Sequence, residues 1–83
     1  MKMENLKEND LLKISNVLEK LEISTLESYG LRNISGGFAK AEMSSYDDNG
    51  IDVELIFGCI SDVNWWVEVE QYLLDRNTFE IIN

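Results

Sequence analysis

The chain has 83 residues, 45% of them apolar and 10% aromatic, with no proline, 16 acidic and seven basic side chains, and a net charge of −9. A domain this short buries only about 60 to 65% of the surface its unfolded chain exposes, so a deep substrate pocket beside a full core is not expected. The charge repels nucleic-acid phosphates, which argues against direct binding to DNA or RNA. The absence of histidine rules out imidazole bases and ligands, and the lone Cys59 rules out an internal disulfide or a zinc knuckle.

The composition is that of a folded globular domain, residues 1–83, in a reduced, cytoplasmic setting. No apolar run approaches the ~20 residues that cross a bilayer, and the first ten residues lack a signal-peptide core. The charge is uneven along the chain. Residues 1–39 hold five basic and six acidic groups, net −1, whereas residues 40–83 hold two and ten, net −8. Such a field steers basic partners, although it also serves simple solubility.

From about residue 5 to 22 the apolar spacing is helical, with Leu11, Ile14, Leu18 and Leu21 on one stripe and Val17 beside them. Asn5 and Glu8 have capping-box spacing, with Asp10 as an alternative cap. Ile23 to Ser35 shows no sustained period and reads either as a short edge strand or as a further helical turn capped by Gly30. Gly36 and Gly37 then permit a change of direction.

Residues 38–82 read as a β-meander. Ala39, Ala41 and Met43 alternate with Lys40, Glu42 and Ser44. Asp47-Asp48-Asn49-Gly50 is a hairpin signal, with Asn-Gly suited to a type I′ turn. As an EF-hand loop it fails, since Ser45 and Ile56 would occupy ligand positions. Ile51, Val53, Leu55 and Phe57 alternate with Asp52 and Glu54. Trp65, Val67 and Val69 alternate with Trp66, Glu68 and Glu70, although the spacing of Val63, Trp66, Val67, Tyr72 and Leu73 also allows a helix. Asp75 to Thr78 form another turn and Phe79 to Ile82 a last short strand. The expected fold is α+β: an N-terminal amphipathic helix packed on a four-stranded antiparallel meander sheet, in two layers.

Strand parity predicts one carboxylate-rich face formed by Glu42, Asp52, Glu54, Glu68, Glu70 and Glu80, with Trp66 and Tyr72 among them. Spacings of about 4.8 Å between strands and about 6.7 Å along them bring the carboxylates near the scale of duplex phosphates. Facing like charges are destabilising, and a basic partner removes that cost. Solvent-facing glutamates offer no sugar cleft and no buried carboxyl for acid catalysis, so no enzyme activity, cofactor or metal is expected.

The order of features resembles the phage uracil-DNA glycosylase inhibitor family of small acidic DNA mimics. The matching features are the N-terminal helix, the Glu27-Ser28 pair, Tyr46-Asp47 before an acidic turn, the Trp65–Val69 strand and a short closing strand. That family has an acidic second helix after its Glu-Ser strand, and here only Arg32 to Gly37 fills the space. The resemblance implies inhibition by DNA mimicry and places Glu27 and Ser28 where such an inhibitor meets its enzyme. The leading expectation is a monomeric or weakly dimeric inhibitor that blocks a basic nuclease or DNA-processing enzyme. Its settings include phage anti-defence and anti-CRISPR proteins. The alternatives are an immunity protein against a nuclease toxin and a homo-oligomeric assembly module pairing through Trp65, Trp66 and an edge strand.

Overall fold

The computed structural model describes residues 8–82. Helix α1 (Glu8–Ser28) leads through a 3-10 turn at Leu31–Asn33 into strands β1 (Gly37–Asp47), β2 (Gly50–Ile60) and β3 (Trp65–Leu74). The strands form one antiparallel sheet in the order β1-β2-β3. The fold is α+β, with the helix on one sheet face as expected. The run from Trp65 is a strand, and the helical alternative for it falls.

The core lies between α1 and the central strand. Ile51, Val53, Leu55, Phe57 and Cys59 are buried on the helix side of β2, joined by Ile14, Leu31, Ala41, Leu74 and Phe79. Val17, Leu18, Leu21 and Leu26 of α1 pack against them, so most of the predicted helical stripe does its expected work. Leu11 does not, being 44% exposed. The expected Asn5 cap lies outside the described residues, and Asp10 is inside the helix rather than at its end. Cys59 is a buried small side chain whose thiol donates to the Ser35 carbonyl at 3.2 Å.

Three expectations are corrected. Helix α1 runs six residues beyond Glu22 and is followed by Gly30 at φ 64°, so of the two readings of Ile23 to Ser35 the further helical turn holds and the edge strand falls, with Glu27 and Ser28 in the last turn. Thr25 explains why the extension is tolerated: it is buried, and its hydroxyl donates to the Leu21 carbonyl at 2.7 Å, so its polar group is satisfied within the helix. Secondly, the hairpin pairs Asp47 with Gly50, which leaves Asp48 and Asn49 as the two central residues. Neither has positive φ, so the turn is not type I′. The Asp47 carboxylate accepts the Asn49 N–H at 2.8 Å, and Gly50 takes the positive φ of 141°.

The third correction is the strand count, three instead of four. After β3 the chain turns on Asp75, whose Oδ1 accepts the N–H groups of Asn77 and Thr78 at 2.7 and 3.0 Å. Those donors hold the Asp75 carboxyl below its ordinary pKa. Phe79 then adopts φ 63° and drops its ring into the core. A left-handed residue cannot continue a pleat, so only an isolated bridge between Leu74 and Ile81 forms where the fourth strand was expected.

Candidate partner-binding surface

The register shows which side chains share a face, because residues directly opposite in an antiparallel pair point the same way. Across the sheet, Phe38 is level with Gly58 and Val67, Lys40 with Ile56 and Val69, Glu42 with Glu54 and Gln71, and Ser45 with Asp52 and Leu73. All of these lie on the face away from α1, and the face has two ends. Glu42, Asp52 and Glu54 make an acidic end towards the hairpin tip. Phe38, Ile56, Ile60, Trp65, Val67 and Val69 make an apolar end, with Trp65 68% and Val69 54% exposed.

Charge at the acidic end is only partly neutralised. The Lys40 ammonium lies 2.9 Å from Glu42, an exposed pair whose hydrogen bond raises the Lys40 pKa. Glu54 directly opposes Glu42, with no ion pair to another described residue. The Asp52 carboxylate accepts the Ser45 hydroxyl, next to the point where the register shifts between Met43 and Ser45. At the tip, Arg76 Nη1 reaches Asp48 Oδ1 at 2.7 Å while Nη2 donates to the Tyr46 hydroxyl at 3.1 Å. The guanidinium lies over the Tyr46 ring, 4.8 Å from its centroid.

Glu68, Glu70, Trp66 and Tyr72 are not on this face. They stand opposite Phe57, Leu55, Cys59 and Val53, and so belong to the helix side. Trp66 meets the Phe57 ring edge-on at 6.2 Å, and Tyr29 lies over Phe57 at 4.7 Å. Helix α1 lies chiefly over β1 and β2, which leaves Glu68 and Glu70 exposed although they share a face with the core. Tyr72 donates its hydroxyl to Glu70 Oε1 at 2.7 Å. That bond, reinforced by burial and the Glu70 charge, pushes the phenol up to about 12. Glu27 and Ser28 are exposed in the last turn of α1, just before Tyr29, and Glu80 is exposed in the segment after β3.

The predicted single acidic face is therefore two: Glu42, Asp52 and Glu54 outside, Glu68 and Glu70 on the helix side. The cause is parity. The loop Ser61–Asn64, closed by Ser61 N–H and Oγ donating to the Asn64 carbonyl at 3.0 and 2.9 Å, pairs Ile60 with Trp65. One residue of register decides the face of every side chain in β3. Each parity turns one tryptophan and one leucine inward, Trp66 with Leu74 or Trp65 with Leu73. The observed phase seats Trp66 against Phe57, Tyr72 opposite Val53 and Leu74 in the core, and sends Val67, Val69 and Leu73 to the outer face. Trp65, Val67 and Val69, expected in the core, thereby become surface residues, and the signal that finds them is the even-numbered spacing of Trp66, Tyr72 and Leu74.

No group of three or more His, Cys, Asp or Glu side chains among the described residues is placed to hold a metal ion. No helix among them is long and apolar enough to cross a membrane. The fold and surface define a small acidic α+β protein, a helix packed on a three-stranded antiparallel meander whose opposite face no other described element covers. Comparison with family profiles, with curated proteins and with solved structures finds no match to this chain.

Proposed function

We propose that this protein is a stoichiometric inhibitor that binds a basic groove of a nucleic-acid-acting enzyme, using its carboxylates where the enzyme would hold phosphates. The observation that carries the reading is the cross-strand pair Glu42–Glu54 with Asp52 beside it, on a sheet face that α1 does not cover. Like charges directly opposite destabilise a sheet, by roughly 0.2–1 kcal/mol per pair, and a cationic partner turns that cost into affinity. The apolar end of the same face supplies Trp65, an aromatic of the kind that anchors interfaces.

The test is capture from host lysate with the wild-type chain and with a Glu42→Lys, Glu54→Lys variant. The wild type should retain an enzyme whose action on DNA or RNA it blocks at equimolar ratio. The variant should keep its fold and lose both properties. Equal capture and inhibition by the two would remove the acidic face from the account.

A second reading, self-assembly through the apolar end, is favoured by the exposure of Trp65, Val69, Ile60 and Val63. Sedimentation as a monomer across micromolar concentrations would exclude it.

A further inference from the structure

The two edges of the sheet are treated differently. On β1 the Ala41 N–H, which points away from β2, is taken by Glu22 Oε2 of α1 at 2.7 Å, and Ser44 interrupts the register. A helix carboxylate and a bulge are devices that blunt an edge. Among the described residues strand β3 has neither. Its register with β2 is unbroken over ten residue pairs, it carries no lysine or proline, and among the described residues only its end is covered, by Ile82 N–H donating to the Leu73 carbonyl at 2.8 Å and the Leu74–Ile81 bridge. The outward-turned Leu73 carbonyl gives the parity: the backbone groups of Trp65, Val67, Val69 and Gln71 face outward as well.

We propose that this edge accepts an extended segment of a basic partner protein as a fourth strand. The inference rests on the inhibitor reading above and names the element of the partner that is held. An added strand alternates its side chains as β3 does. Residues next to Trp65, Val67 and Val69 extend the apolar end of the outer face and are apolar. Residues next to Glu68 and Glu70 lie on the helix side and are lysine or arginine. The occupant is thus a segment in which basic and apolar residues alternate, read by backbone hydrogen bonds and by charge.

A second copy of this chain fits less well. Antiparallel self-pairing about a two-fold axis at Glu68, Val69 or Glu70 places carboxylates directly opposite one another. The axis at Val67 avoids that but sets the two Glu68 side chains diagonally adjacent, and each copy brings a net charge of −9.

The probe is a synthetic peptide of about seven residues alternating lysine and valine, long enough at ~3.3 Å per residue to follow the strand. Bound to the whole protein, it should slow amide exchange at Val67, Val69 and Gln71, and its affinity should fall with added salt. The glutamate–valine counterpart should not bind. Val69→Pro removes an outward N–H that the sheet does not use, and should weaken the lysine–valine peptide at least about tenfold, the scale of a lost ladder hydrogen bond with its neighbours. Should that variant fail to fold, the same peptide N-methylated on its ladder-facing amides makes the test from the other side, and loss of binding supports strand addition. Undiminished binding to Val69→Pro or by the methylated peptide overturns it. If that undiminished binding disappears in Glu42→Lys, Glu54→Lys, the inhibitor reading survives and strand addition alone fails. Concentration-dependent protection of the same amides without peptide would make a second copy the occupant and also overturn the proposal.

Discussion

Tyr72 shows how one side chain joins the acidic row to the core. Its ring is half-buried beside Val53 while its hydroxyl holds Glu70, and the phenol is raised to about 12 against an ordinary 10.0. A raised pKa means that the folded state favours the protonated form. The stabilisation is therefore complete below pH ~10 and is lost as pH climbs from there through about 12. Glu70→Gln removes the carboxylate that accepts the phenol hydrogen bond, the largest cause of the shift, so phenolate absorbance should report a lower Tyr72 midpoint in that variant. An unchanged midpoint would mean that burial alone holds the phenol up. Gly58 is a second residue with a single solution. Its φ is 157°, and a Cβ there would stand 2.1 Å from the Trp66 carbonyl oxygen. Gly58→Ala should cost about 2–5 kcal/mol from overpacking and backbone strain together, measurable by urea unfolding.

The segment after β3 closes the end of the core that neither helix nor sheet covers. Phe79 is buried at a positive φ, with the Lys13 ammonium 5.8 Å from its ring centroid, and Arg76 ties the segment to Tyr46 and Asp48 of the first hairpin. The ring does most of the work, since an exposed ion pair contributes at most ~1 kcal/mol. Phe79→Ala should cost about 3 kcal/mol and lower Tm by roughly 10–20 °C, whereas Arg76→Met should lower it by only a few degrees. Equal losses would shift the weight to the Arg76 contacts. None of this was legible in Phe-Glu-Ile-Ile, which reads as an ordinary strand. The end of α1 was only half legible: Gly30 allowed a further helical turn, but Ile23, Ser24 and Thr25 are weak helix formers, and the Thr25–Leu21 hydrogen bond that supports them is invisible in a list of residues.

At the size of the whole molecule, charge is segregated by element. The helix holds five acidic and two basic side chains, net −3, whereas residues 37–83 hold ten and two, net −8, now spread over both faces of the sheet instead of one. Association with a basic enzyme should therefore slow steeply as ionic strength rises from about 0.01 to 0.15 M, where the Debye length shrinks from ~30 to ~8 Å. Stopped-flow mixing with the captured enzyme measures this. A rate indifferent to salt would leave the apolar end as the determinant and the carboxylates as solubilising groups.

The α+β class, the helix-then-strands order, the existence of the β1–β2 hairpin and the buried row from Ile51 to Cys59 could all be read from local patterns. Each depends on periodicity along one short stretch, where the alternation of apolar and polar residues states which side is which. The face that Glu68 and Glu70 occupy could not be read that way. In Trp-Trp-Val-Glu-Val-Glu both parities look amphipathic, and the choice fell to contacts distant in sequence: Trp66 against Phe57, Tyr72 beside Val53, and Leu74 inside the closed end of the core. Pattern sets the period of a strand, but the burial gained across the sheet sets its phase.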